Sequence, residues 1–151
     1  MVKGIWLYGL SGAGKTFISK EIYENININK IIIDGDQVRK YISHDLGYSK
    51  KNRDVQISRL FGIAKISIGS KIFPIISSVW MNKDVLSKCR REKILVIKIE
   101  REMKTILNTH KTYKFKKDVV GKDIKYDNFR TKNFKNKKGQ NNWKIIKKLI
   151  G

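Results

Sequence analysis

The stretch Gly9-Leu10-Ser11-Gly12-Ala13-Gly14-Lys15-Thr16, GLSGAGKT, leaves the chain around it little freedom. Gly9, Gly14, Lys15 and Thr16 satisfy the pattern G-x-x-x-x-G-K-[S/T]. The apolar run Ile5-Trp6-Leu7-Tyr8 precedes it. KTFISKEIYEN follows, with Ile18 and Ile22 four apart and Phe17 beside them. A short apolar run ending in glycine reads as a strand buried on both faces, and the i, i+4 spacing reads as a helix with one apolar side. Strand, glycine-rich turn and helix in that order form a phosphate cradle. Glycines let the backbone curl with its N–H groups inward, and the helix N-terminus adds positive potential. In this reading Gly9, Ser11, Gly12, Ala13, Gly14, Lys15 and Thr16 bind a nucleoside triphosphate. Lys15 reaches the outer phosphates and Thr16 offers its hydroxyl to Mg²⁺. The loop alone does not separate a kinase from a GTPase, a motor or an ATP-driven switch.

The rest of the chain continues the alternation of strand and helix. KIIIDGD predicts a second strand ending in acid. Asp36 is expected to cap the helix QVRKYISHD, on which Val38, Tyr41 and Ile42 share a face and which Gly47 breaks. NRDVQISRLFGIAKISI carries a helical stripe of Ile57, Leu60, Phe61, Ala64 and Ile68. KIFPIISS and KILVIKI predict strands three and four, with Pro74 weakening the third because proline donates no ladder hydrogen bond. REMKTILNTH predicts a helix with Met103, Ile106 and Leu107 inside. NNWKIIKKLI predicts a closing helix with Trp143, Ile146 and Ile150 on one side. The fold expected is α/β: a parallel sheet with helices on both faces and ligands at the carboxyl ends of the strands. The polar, basic segment 113–142 reads as a mobile lid, a disordered stretch or both.

At 151 residues the chain makes a single domain, 1–151. It has no run of about 18 apolar residues and no signal-peptide pattern, and its one cysteine, Cys89, excludes an internal disulfide. These features point to a cytoplasmic protein with no membrane partner. The net charge of +21 attracts polyanions in general. Lys, Asn and Ile are abundant all along the chain, as in an AT-rich coding sequence, and only 111–138 is denser in lysine. His44 and His110 stand alone, without metal-ligand spacing.

A second acidic site follows the loop. Asp34-Gly35-Asp36 falls at the end of the second strand, where two carboxylates can hold the water of a metal ion or accept a hydroxyl proton. Arg39, one helical turn on, suits an anionic acceptor; helix capping by Asp36 and a solvated Arg39 fit the spacing equally well. Here GLSGAGKT, DGDQVRKYISHDLGYS and NRDVQISR together resemble the adenylylsulfate (APS) kinases, whose pattern runs GLSGxGKT, DGDxxR…DLGFS, DR..NIRR. The similarity is close over about the first 65 residues. Later, Tyr113-Lys114 resembles LYK, and Val120 to Asp127, VGKDIKYD, resembles TGIDDPYE.

The resemblance implies a P-loop kinase with a basic lid at about 110–128 that moves the γ-phosphate of ATP, with Mg²⁺, to the ribose 3′-hydroxyl of a nucleotide. It implies catalytic roles for Lys15 and Asp36, and it places Asp34, Arg39, Tyr48, Arg53, Gln56 and Lys114 on the acceptor, with Tyr48 stacking on its base. A homodimer is compatible with this reading, and no nucleic acid is required. Four departures fall on the acceptor side: Ser58 for an arginine, SSVWMN for a motif with Ile-Ser-Pro, a shorter lid, and Val119 for an aromatic. They leave the acceptor open between adenylylsulfate and a smaller-base nucleotide. A branch of the same broad family phosphorylates cytidine diphosphoramidate in bacterial capsule synthesis. The competing class is a basic nucleic-acid-binding ATPase with no small-molecule acceptor.

Overall fold

The computed structural model describes residues 1–109, 119–127 and 129–150. Five parallel strands form one sheet in the order β2-β3-β1-β4-β5. They are β1 (Gly4–Tyr8), β2 (Lys30–Asp34), β3 (Phe73–Ser78), β4 (Ile94–Glu100) and β5 (Lys132–Lys135). The described helices are α1 (Lys15–Asn25), α2 (Gly35–Tyr41), α3 (Lys50–Gly69), α4 (Lys83–Arg91), α5 (Met103–Thr109) and α6 (Asn142–Ile150).

All five residues of β1 are buried, as its unbroken apolar run requires. Alternation then sends its side chains to two cores. Trp6 and Tyr8 join Ile76 and Val96 under α3 and α4, with Ile57, Leu60, Ala64 and Val85. Ile5 and Leu7 join Ile75, Ile97 and Ile99 on the opposite face, against Ile18 and Ile22 of α1 and Ile146 of α6. Pro74 sits in an interior strand all the same. It precedes the first residue that β3 pairs with β1, and its ring occupies the space that Gly4 leaves open: a Cβ at Gly4 would lie 2.8 Å from Pro74 Cγ.

Several expectations need correction. The helix after β2 begins at Gly35 and ends at Tyr41, well before Gly47, and only Val38 of its expected apolar face is buried; Tyr41 and Ile42 are exposed. In α5, Ile106 is buried while Met103 and Leu107 are exposed. Both helices are two turns or less, too short to bury a full stripe against the sheet. Phe17 likewise faces outward from α1.

The segment read as lid or disorder contains β5, which extends the sheet beside β4 from Ile97↔Lys132 to Glu100↔Lys135. Its sequence, KNFK, offers one apolar side chain, so alternation is nearly invisible there. An edge strand needs only one buried residue to hold, and Phe134 is that residue, at 2% exposure. Residues 119–127 are packed as well. Val119 and Val120 are buried, Val120 bridges Ile124, and Tyr126 stacks on Trp80 at 5.7 Å between ring centroids and an interplanar angle of 15°. The remainder of the expected lid, with Lys111, Tyr113, Lys114, Lys116 and Lys117, lies outside the described residues, as does His110.

Phe134→Ala should therefore destabilise the protein by about 3 kcal/mol or more, whereas Phe134→Leu should cost less than about 1.5. Urea unfolding followed by circular dichroism measures both; equal, small losses would show that β5 is not anchored by this ring.

Candidate active site

The carboxyl ends of β1, β2, β3 and β4 open onto one cleft of about 720 Å³. The first wall is the loop between β1 and α1. Gly14 caps α1 in the left-handed conformation, with φ 94°, which a residue bearing a Cβ rarely adopts. Gly9 is wedged against the neighbouring strand: a Cβ there would lie 2.3 Å from the Ile99 carbonyl oxygen. Ser11, Gly12, Gly14, Lys15 and Thr16 line the cleft, whereas Gly9 and the fully buried Ala13 lie behind it.

Lys15 is folded back on its own loop. Its ammonium donates to the carbonyls of Gly9 at 2.8 Å and Leu10 at 2.9 Å. Burial lowers its pKa from 10.5 to about 8, against the opposing pull of Asp36 and Asp34.

The two acids at the end of β2 play different parts. The helix cap is Asp34, not Asp36. Its Oδ1 accepts from the backbone N–H of Asp36 at 2.8 Å and of Gln37 at 3.3 Å, and its Oδ2 accepts from Ser77 Oγ at 3.2 Å. The helix starts earlier than the spacing suggests, because β2 runs directly into Gly35. Asp36 thereby falls in the first turn, exposed, and lines the cleft alongside Thr16.

The third wall is a cation–aromatic stack. The Arg39 guanidinium lies 4.4 Å from the Tyr48 ring centroid and donates to Gly47 O at 2.9 Å. Arg53, buried, donates from Nε to Tyr48 O at 2.9 Å and lies 5.5 Å from the same ring. Tyr48 itself is 54% exposed and lines the cleft. Each such contact is worth about 0.5–2 kcal/mol, enough to hold the ring in place. Gln56, also buried, donates to Gly35 O at 3.1 Å and ties α3 to the acidic turn. The cleft thus gathers Asp34, Asp36, Arg39, Tyr48, Arg53 and Gln56 with Lys15 and Thr16; Lys114 is outside the described residues.

The departures on this side differ in where they fall. Ser58 is on the exposed face of α3 and does not line the cleft. Arg59 beside it makes a bidentate pair with Asp45, at 2.6 and 2.9 Å. Val119 does line the cleft, packed with Ile106 and Leu10. SSVWMN forms its own wall: Trp80, 2% exposed, donates to Asp54 Oδ1 at 2.7 Å, and Asn82 donates to the same oxygen at 2.8 Å while capping α4.

Arg101 belongs to the site without belonging to any motif. It lines the cleft and donates to Gly12 O at 3.1 Å. Its one signal in the sequence is its position just past β4, where this fold class gathers ligand-facing residues. Lys83, Arg90 and Arg91 lie on α4 and do not line the cleft. Burial pushes the Cys89 thiol up to about 12, so it is no nucleophile. No cluster of metal-ligating His, Cys, Asp and Glu occurs among the described residues, and no described helix is long and apolar enough to cross a membrane.

A family model of adenylylsulphate kinase matches residues 2–119. The chain is 33% identical over 89 residues to an adenylyl-sulfate kinase of Rippkaea orientalis, covering 57% of this chain and 49% of that one. It is 43% identical over 65 residues to a probable adenylyl-sulfate kinase of Pseudomonas aeruginosa, covering 41% and 30%. The chain thus spans about half or less of the length of these curated relatives. The fold resembles that of the Mycobacterium tuberculosis APS kinase CysC, solved in complex with AMPPNP and APS, with a TM-score of 0.82, 17% identity and coverage of 99% and 95%. With the loop, the acidic turn and the stacked tyrosine in one cleft, and with the family model spanning most of the sequence, the chain belongs to the adenylylsulphate kinase family.

Proposed function

We propose that this protein transfers the γ-phosphate of ATP to the ribose 3′-hydroxyl of a nucleotide. The observation that carries this reading is the Arg39–Tyr48–Arg53 stack sharing one cleft with Lys15 and Asp36. A bare ATPase has no use for such a second wall. Tyr48 offers an exposed ring to a base, and the two guanidiniums beside it suit the anionic tail. Asp36 is free of the capping role and takes the proton as the hydroxyl oxygen attacks. The new O–Pγ bond forms as the bond to the β-phosphate oxygen breaks, leaving ADP. Lys15 swings from its carbonyls to the outer phosphates and balances the charge on the leaving group.

Thr16 fits a magnesium ion: its hydroxyl oxygen is exposed on the cleft, and Mg²⁺ prefers oxygen ligands with several waters retained. Bound there, the ion would neutralise charge on the phosphates.

For the acceptor, Val119 is the informative departure. A valine cannot form the second face of an aromatic sandwich, and a stacking partner is worth about 1–3 kcal/mol per base. This favours a nucleotide that depends less on two-sided stacking than adenylylsulfate does, and a cytidine diphosphate derivative such as cytidine diphosphoramidate, of capsule synthesis, is our candidate. ATP and Mg²⁺ should be offered with adenylylsulfate and with cytidine diphosphate derivatives, and the products read by mass and by the position of the new phosphate. Transfer to a 3′-hydroxyl, lost by about 10³-fold in Lys15→Ala, is the expected result. Efficient use of adenylylsulfate alone would refute the shifted acceptor. ATP hydrolysis stimulated by RNA or DNA, with no transfer, would refute the kinase.

Asp36→Asn should lower kcat by orders of magnitude with little change in the KM for ATP, because the proton is taken only in the transition state. An unchanged kcat would remove Asp36 from the chemistry.

Lys15 gives the pH dependence its sign. Its ammonium is half neutral near pH 8 in the free protein, and a bound triphosphate favours the charged form. ATP affinity should therefore fall as pH rises through about 8, with net proton uptake on binding at about pH 8.5. Calorimetry in buffers of different ionisation enthalpy detects this; no uptake would place the Lys15 pKa well away from 8.

A further inference from the structure

The inward curl of the phosphate loop turns its carbonyls outward, and each needs a donor of its own. Lys15 occupies those of Gly9 and Leu10. Those two bonds break when the ammonium moves to a phosphate. The bonds at Gly12 and Ala13 need not break. Gly12 O accepts from Arg101 Nη1 at 3.1 Å, and Ala13 O accepts from Asn136 Nδ2 at 2.8 Å. Asn136 itself does not line the cleft.

Its placement is tightly determined. The Asn136 backbone N–H donates to Glu100 O at 2.7 Å, just past the last pair of β4 and β5. Its side-chain amide lies directly over Gly14: a Cβ on Gly14 would come within 2.3 Å of Nδ2. Orientation of the amide follows from chemistry. A carbonyl oxygen only accepts, so the NH₂ must face Ala13 O.

We propose that Asn136 is a positioning residue for the phosphate loop, bracing its outer side from the edge of the sheet, with Arg101 as the second brace. The inference rests on the loop being the triphosphate site. It also gives β5 a part in function, because the strand carries the amide to the back of the loop.

The test uses the full chain. In the nucleotide-free protein, hydrogen exchange of a peptide covering residues 9–15 should be about tenfold faster in Asn136→Ala, with α3 unchanged. MgATP should bind about tenfold more weakly by calorimetry, and the KM for ATP should rise by a similar factor with kcat at saturation within about twofold. Asn136→Asp keeps the shape but sets an acceptor against Ala13 O, so it should be no better than alanine. Asn133→Asp, the same charge change three residues earlier on β5, should bind MgATP within about twofold of wild type. Asn136→Ser supplies a small polar alternative should alanine fail to fold. Wild-type exchange in the loop of Asn136→Ala would overturn the proposal whatever the protein binds. Faster exchange in a protein that binds no MgATP would keep the brace and discard the kinase.

Discussion

Gly9 leaves β1 at a point where no side chain fits, against the Ile99 carbonyl oxygen of β4. That close approach determines the rest of the site. It brings the loop out at the carboxyl edge of the sheet, between the ends of β3 and β4. The acid of β2, the serines of β3 and Arg101, just past β4, then converge around it without any long excursion. Both cores serve this end: one fixes β1 from the side of α3 and α4, the other from the side of α1 and α6. A slip of one residue would exchange the side chains of β1 between the two cores, forcing Trp6 and Tyr8 into space shaped for Ile5 and Leu7.

The first two thirds of the chain is legible because its signals are strong and local. A continuous apolar run, fixed glycines and a long helical stripe each have one reading, and β1 to β4, α1 and α3 follow from them. Asp34 and Asp36 stand out as a pair, yet spacing alone exchanges their roles. The difference lies in where α2 starts, which backbone geometry decides and spacing does not. β5 is hidden because an edge strand at the end of a parallel sheet asks for one buried ring, and KNFK supplies no more. Arg101 and Asn136 are hidden for another reason: their partners are backbone carbonyls, and no pattern of side chains advertises those.

The high positive charge has a local counterpart. Lys15, Arg39, Arg53 and Arg101 border one cleft, with Asp34 and Asp36 their acidic neighbours there. Arg39 and Arg53 share the Tyr48 ring, and Arg101 holds a loop carbonyl. Arg39 and Arg53 are ordered by contacts within the chain and need little rearrangement to meet an anion. The lysines scattered elsewhere act mainly through long-range potential, which salt screens over about 8–10 Å.

Lys15 resting on Gly9 O and Leu10 O has a consequence for what the loop admits. The free loop is already closed around its own ammonium. An entering anion must draw that ammonium away from two carbonyls, and only a ligand long enough to meet it offers a better partner in return. The same ammonium thus has two sets of partners, carbonyls when the loop is empty and a phosphate in the proposed complex, so neither state leaves it or the loop without charge-assisted bonds.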